Sequence, residues 1–251
     1  MKIIISPAKK MEVNTELLPV LSQPAHLEKA NHIKEVLMQY SYEELKSIWK
    51  CNDSIAEQNY TRLKEMDLNR NLTPALIAYQ GIQYQYMAPT VLEQTHYSYL
   101  QEHLYIMSGF YGLLRPFDGI VPYRLEMQAK LPVDTSKNLY EYWSDELCNQ
   151  IVHESNLILN LASKEYSKCI EAYLPKETTF ITAIFGEIID GKVKEKGTYA
   201  KMARGEMVRF AAENQVTQLE QLKKFNRLGY HYSEEHSTDT TFVYIKGETS
   251  C

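Results

Sequence analysis

The segment Leu157-Ile158-Leu159-Asn160-Leu161-Ala162 constrains the fold more than any other stretch of the chain. It is apolar at nearly every position instead of alternating. That is the pattern of a strand buried on both faces, and such strands belong to sheets covered by helices on each side. The β-branched run Ile3-Ile4-Ile5 opens the chain in the same way and reads as a strand over residues 2–6. Pro7 biases Ser6 away from helix, so residues 6–10 leave that strand as a loop.

Helical and strand patterns then interleave to the end of the chain. Helices are expected over residues 25–39, 88–102, 139–154, 164–173 and 199–214. Two more open with Ser41 and Glu44 and with Ser54 and Glu57, spacings that fit a capping box. In the second of these, Ile55, Asn59, Leu63 and Met66 share a face, and Thr217 with Glu220 caps a last helix. Strands are expected over residues 75–79, 103–108, 178–189, 192–197, 230–232 and 241–245, with 111–127 irregular. Asp190-Gly191 between two strand-like runs is a hairpin signal. No repeat or linker interrupts the pattern. The expectation is one domain over residues 1–251 of the α/β (α+β) class, with a mixed sheet, an antiparallel portion and flanking helices.

Composition excludes several classes. With 44% hydrophobic and 24% charged residues, the chain is near the globular average and unlike a disordered one. No apolar run approaches the roughly 18 residues of a membrane span, and the N-terminal run is too short for a secretory signal. The four cysteines (51, 148, 169 and 251) form no C-x-x-C pair. They read as reduced thiols of a cytoplasmic protein without structural disulfides, Cys251 being a mobile terminus. The seven histidines show no ligand spacing, and neither metal nor cofactor is expected. Both common glycine-rich phosphate loops are absent, as are H-E-x-x-H and G-x-S-x-G. No catalytic residue is assigned.

The net charge of −5 hides an asymmetry. Residues 192–209 hold six Lys/Arg and two Glu, a local +4 that leaves −9 on the rest. An acidic protein with one basic element suggests a defined anionic partner. On the helix from residue 199, Lys201, Arg204, Gly205 and Arg209 fall within about 140° of arc at about 100° per residue, opposite Phe210. A glycine among them would admit a phosphate or a second backbone. Read by geometry alone, this is an ordinary surface helix with a solvated basic face, on which Arg204→Ala is tolerated while Phe210→Ala is costly. Three other stretches follow strands. Arg115 to Glu126 includes Arg115, Tyr123 and Arg124; Asn160 to Tyr166 includes Ser163 as a cap and Lys164; and Lys9-Lys10 follows the first strand. Ligands of α/β folds bind beyond the carboxyl ends of strands, and arginine forks there suit phosphate or carboxylate. Equally, Arg115 and Arg124 could pair with Asp118 and Glu126. Convergence on one cleft does not follow from sequence.

Ile5-Ser6-Pro7-Ala8-Lys9, the block from Ser108 to Asp118 with Pro122 to Met127, Asn160 to Tyr166, Lys201-Met202-Ala203-Arg204-Gly205 with Arg209-Phe210, and Phe225-Asn226 with Gly229-Tyr230 together resemble the bacterial peroxide-stress protein YaaA family. The resemblance runs through nearly the whole chain in order. It implies a cytoplasmic bacterial protein of the peroxide response, a single-domain fold with a positively charged cleft and a helix-hairpin-helix element, DNA binding, and limitation of iron-driven (Fenton) DNA damage. The helix-hairpin-helix would map around Cys51-Asn52-Asp53, where no glycine offers amides to a phosphate and Lys46, Lys50 and the amides near Ser54 would have to serve.

The first functional expectation is therefore a non-enzymatic protein binding DNA, duplex or partly unpaired, through Lys9, Lys10, Arg115, Arg124, Lys164, Lys201, Arg204 and Arg209, with Tyr111 or Tyr123 stacking on an unpaired base. No membrane and no obligate protein partner are expected. The alternative is an enzyme on a phosphorylated or nucleotide substrate in the same cleft, with Glu126 or Glu165 as acid or base. Direct iron handling ranks last. A long shallow basic groove would favour DNA, and a closed pocket with a carboxylate beside the arginines would favour catalysis.

Overall fold

The isoleucine run near the N-terminus becomes β1 (Lys2–Ile5), the strand around which the computed structural model, describing residues 1–247, is organised. In chain order there follow β2 (Lys10–Met11), α1 (Leu27–Met38), α2 (Tyr42–Trp49), α3 (Asp53–Glu65), β3 (Thr73–Pro74), α4 (Ala75–Ala78), β4 (Tyr79–Gln80) and α5 (Ile82–Met87). A 3₁₀ turn at Pro89–Val91 leads to α6 (Gln94–His103), β5 (Leu104–Ser108), β6 (Gly112–Leu114), β7 (Gly119–Ile120), α7 (Leu139–Trp143) and α8 (Glu146–Glu154). The last part holds β8 (Leu157–Leu161), α9 (Lys164–Glu171), β9 (Thr179–Ile189), β10 (Lys192–Lys194), α10 (Gly197–Glu213), α11 (Leu219–Leu222), β11 (Tyr230–Tyr232) and β12 (Thr241–Lys246).

The main sheet has eight strands in the order β11-β12-β9-β8-β1-β5-β6, with β10 paired to β9. The five strands from β12 to β5 are parallel; β6, β10 and β11 add antiparallel edges. The mixed α/β architecture expected from the interleaved pattern is present. β1 pairs with β8 through Ile4↔Asn160 and with β5 through Ile4↔Tyr105. Ile3, Ile4 and Ile5 are fully buried, as are Ile158, Leu159 and Leu161 of β8, which is why neither strand alternates. From β1 the chain continues toward β5 on one side, and from β8 toward β9 on the other. The boundary between β1 and β8 is thus a topological switch point, whose carboxyl-end crevice is where open α/β sheets bind ligands.

Local chemistry explains the elements. Ser41 and Glu44 form the expected capping box of α2. Asp190 and Gly191 take φ of 54° and 71°, the doubly left-handed turn of a two-residue hairpin. Other expectations are corrected. Asn52, not Ser54, caps α3, accepting from the Ile55 amide; Ile55 is exposed, and Ala56 joins Asn59 and Leu63 on the buried face. Residues 75–78 are not a strand, and one begins only at Tyr79: α4 is one turn of buried helix whose first amides donate to Asp118 O and Pro116 O. A short apolar run does not distinguish the two. The expected helix over 88–102 begins only at Gln94, because Ala88 is left-handed and Pro89 follows it. The one over 139–154 breaks at Ser144, φ 46°. Gln218 with Gln221, not Thr217 with Glu220, caps α11. Two short strands, β6 and β7, lie in the stretch expected to be irregular, and α5 lies where no helix is expected. Cys51, Cys148 and Cys169 are free thiols; Cys251 lies outside the described residues. No helix among the described residues is long and apolar enough to cross a membrane.

Candidate anion-binding cleft

At the carboxyl ends of β1 and β8 lies a cleft of about 450 Å³. Its wall and rim are built by residues 6–10 after β1, the start of α5, residues 123–126, the start of α9 and one face of α10. Two glycines bring these segments together. A Cβ on Gly205 would lie 2.1 Å from the Gln83 carbonyl oxygen, so the α10 backbone lies directly on α5 and sets Arg204 beside Gln83. A Cβ on Gly109 would lie 2.9 Å from Leu125 O, so the end of β5 packs directly on the backbone that carries Arg124 and Glu126.

Six of the residues expected from sequence line this cleft: Lys9, Lys10, Tyr123, Arg124, Lys201 and Arg204. Lys9 and Lys10 are rim residues with side chains 65% and 73% exposed. Arg124 and Arg204 sit deeper, their side chains 11% and 15% exposed. Each has one long ionic contact: Arg124 Nη2 is 3.6 Å from Glu126 Oε1, and Arg204 Nη2 is 3.3 Å from Glu195 Oε1. Glu126 is held mainly by Lys9 Nζ, at 2.8 Å. Burial draws the Arg204 guanidinium below its ordinary pKa, with Glu195 opposing the shift.

Arg204 therefore does not lie on a solvated face. Its helix face is packed on α5, and the expectation that Arg204→Ala is structurally neutral is withdrawn: it would open a mostly buried space and leave Glu195 with only the Phe185 amide as a partner. Phe210 is buried as expected. Tyr123 lines the cleft with its ring stacked on Phe110 at 5.0 Å and its hydroxyl bonded to Tyr79 and Ser108, at 2.8 and 2.7 Å. Burial pushes its pKa up to about 12. Tyr111 is fully buried. Neither tyrosine presents an open ring to a base.

Three expected residues are elsewhere. β6 runs antiparallel to β5, so Arg115 emerges at the amino ends of the parallel strands. There its Nη2 contacts both Glu154 carboxylate oxygens at 2.6 Å, and its Nη1 donates to Gln101 O and Glu102 O. Lys2 joins the same Glu154 at 2.5 Å. The guanidinium does not pair with Asp118, whose carboxylate instead accepts from the Arg115 amide and Ser22 Oγ. Lys164 runs along α9 to Glu171. Arg209 donates through Nε to Glu213 at 2.7 Å, in a network with Arg227 and Glu206.

The first turn of α9 faces the cleft. Ser163 is its N-cap residue but its side chain does not cap; Ser163 Oγ lies 3.2 Å from Ser6 Oγ, and the Ser163 amide donates to Ser6 Oγ at 2.8 Å. Glu165 lies in the same turn, its carboxyl raised by burial and by Glu126, with the Gln128 amide opposing at 3.2 Å. Sequence reasoning missed Gln83, which nothing distinguishes until α5 is seen against α10. No group of three or more His, Cys, Asp or Glu able to hold a metal ion occurs among the described residues.

A family profile described as peroxide stress protein YaaA matches residues 1–236. A UPF0246 protein of Lachnoclostridium phytofermentans is 54% identical over 250 residues, covering 100% of this chain and 98% of its own. A UPF0246 protein of Desulfitobacterium hafniense is 54% identical over 246 residues, with 98% of each chain covered. One from Lactiplantibacillus plantarum is 48% identical over 245 residues, 98% of this chain and 99% of its own. The chain belongs to the peroxide stress protein YaaA family.

Proposed function

We propose that this member of the peroxide stress protein YaaA family acts in the cytoplasm by binding DNA in the cleft at the β1–β8 switch point, and so limits iron-driven damage to the DNA it covers. The observation that carries the reading is the gathering of five Lys/Arg, from three separate segments of an acidic chain, around one crevice. Lys9, Lys10 and Lys201 on the rim would neutralise successive backbone phosphates, and Arg124 and Arg204 would meet phosphate oxygens that enter the cleft. Pro7, Ala8, Ile82 and Leu125 supply apolar surface for a sugar or an unstacked base. The cleft is short and concave, so unpaired DNA fits this reading better than an uninterrupted duplex.

Each neutralised phosphate releases counterions. Ferrous iron held on the backbone as a counterion would be displaced with the rest, removing the metal that turns peroxide into radicals at that spot. Two measurements test this: affinities for duplex, bubbled and single-stranded DNA, and strand scission by ferrous iron and peroxide with and without the protein. Binding without protection would remove the iron part; no binding at moderate salt would remove the whole.

A second reading, an enzyme acting on a phosphorylated or nucleotide substrate, is favoured by one observation. Glu165 and Glu126 face the same cleft in different settings, the first raised by burial and the second held by Lys9 and Arg124. A carboxyl raised by burial beside a second carboxylate in one cleft is an arrangement that acid–base catalysis uses. Turnover of a nucleotide followed by phosphorus NMR decides it.

A further inference from the structure

Among the described residues, four buried side-chain nitrogens have no hydrogen-bond partner: Trp49 Nε1, Gln83 Nε2, Arg124 Nε and Arg204 Nε. Three of the four belong to residues that line the cleft. Gln83 is 7% exposed overall, so its carboxamide is removed from bulk water without an acceptor in exchange. A buried donor left without an acceptor destabilises the fold, the more so when it is charged. The other arginines in ion networks are not left this way. Arg115 has two carboxylate contacts at 2.6 Å and two carbonyls, and Arg209 and Arg227 share Glu213, with Glu206 also at Arg227. The two cleft arginines offer five N–H donors each and have one long contact apiece. The first turn of α9, without a side-chain cap, adds the amides of Lys164 and Glu165, those of Ser163, Tyr166 and Ser167 being already bonded, and the positive end of an eight-residue helix at the same place.

We infer that the inner end of the cleft is a subsite for a phosphate monoester. The inference rests on the proposed binding of nucleic acid in this cleft and goes beyond it by naming the group recognised. An internal phosphodiester carries one negative charge and two free oxygens, and its chain continues on both sides, which keeps it at the rim. A phosphate monoester carries up to two charges and three free oxygens and ends the chain, so it can enter a concave site and accept from several donors at once. Two guanidinium forks, a carboxamide and helix amides provide more donors than a diester accepts. Glu126 and Glu195, on the two arginines, orient the forks. The two sources of such a group are the terminal phosphate of a DNA strand and a free nucleotide.

The deciding comparison uses the unaltered protein. One short single-stranded oligonucleotide is prepared with 5′-phosphate, 3′-phosphate or hydroxyl ends, and affinities are compared at one salt concentration. Deoxyadenosine 5′-monophosphate and deoxyadenosine are then used as competitors and as direct ligands. The expected result is that at least one phosphorylated oligonucleotide binds about tenfold or more tightly than the hydroxyl form. Gln83→Leu, which keeps the α5 backbone against Gly205, is expected to shrink that ratio. Binding of the monophosphate but not the nucleoside would support the subsite and name free nucleotide as a source; its failure to bind beside a preferred phosphorylated end would name the strand terminus. If all oligonucleotides bind equally and the monophosphate does not bind, the subsite is refuted while DNA binding stands. If the monophosphate binds and no oligonucleotide does, DNA binding is refuted while the subsite stands.

Discussion

Replacing Gly205 by alanine separates a solvated helix face from a packed one by the sign of its effect. In an exposed helix interior, Gly→Ala gains about 1 kcal/mol from propensity. Here the added Cβ would lie 2.1 Å from Gln83 O and 2.9 Å from the Met87 amide nitrogen, backbone atoms that cannot rotate away. An ordinary carbon–oxygen contact is about 3.3 Å, so α5 and α10 would have to separate by about 1 Å in a close-packed region. Both helices are buried where they meet, at Gly205 and Val208 on one side and Gln83, Tyr84 and Met87 on the other. Overpacking of this kind costs about 1–3 kcal/mol and occasionally more. With rigid backbone as the obstacle, the expected net loss is about 2 kcal/mol, or about 4–8 °C in Tm for a chain of this size. Gly197, in the same helix, is the control: nothing lies within 4 Å of its Cβ, and Gly197→Ala is expected to be neutral or slightly stabilising. Thermal unfolding followed by circular dichroism reads both. If Gly205→Ala raises Tm as Gly197→Ala does, the α5–α10 contact is not as close as described, and the placement of Gln83 beside Arg204 fails with it.

Other outcomes follow from the opposite end of the sheet and from the thiols. Arg115→Ala is expected to lower stability by about 1–3 kcal/mol, since it strips Glu154 of its forked partner in a partly exposed network, while leaving DNA affinity unchanged; a loss of affinity with intact melting would return Arg115 to the interface. Burial would raise the Glu154 carboxyl, but hydrogen bonds from Lys2, Tyr105 and Arg115 hold it at about 2. Its folded pKa is thus depressed, so its contribution is full above the unfolded value of 4.5 and is lost as pH falls toward 2. Glu154→Gln should accordingly trail the wild type by about 1–2 kcal/mol at neutral pH, with the gap closing in acid; a constant gap in chemical denaturation across that range would refute the ionic account. Burial pushes the Cys148 and Cys169 thiols up to about 11 and about 12, so mass spectrometry after brief alkylation of the native protein should find Cys51 labelled well ahead of both.

Much of the scaffold is written locally. Continuous apolarity in Ile3-Ile4-Ile5 and in β8 indicates strands buried on both faces, and Asp190-Gly191 and Ser41 with Glu44 carry their turn and cap chemistry in the residues themselves. Elements decided by tertiary contact are not legible in this way. Ala75-Leu76-Ile77-Ala78 is equally apolar as strand or helix, and the carbonyls of Pro116 and Asp118 settle it as a helical turn. The site shows the same division. That Lys9, Arg124, Lys201 and Arg204 share one cleft depends on strand order, which no single segment encodes. Arg115 follows a strand just as Arg124 follows a loop, yet the reversal of β6 carries it to the far end of the sheet. Gly205 stands out in the sequence, but only the structure distinguishes a second backbone from a ligand as its neighbour, and Gln83 gives no signal before its helix is placed.

The central claim is that the cleft holds phosphates, and its most direct test is the salt dependence of affinity for single-stranded DNA. Each phosphate neutralised on a single strand contributes about −0.7 to the slope of log K against log salt, so contacts from the five cleft cations predict a slope of about −3.5. Replacing both Lys9 and Lys10 by alanine, at the exposed rim, should flatten it by about 1.4 without lowering Tm. A slope near zero, or one that the double replacement leaves unchanged, would contradict the account.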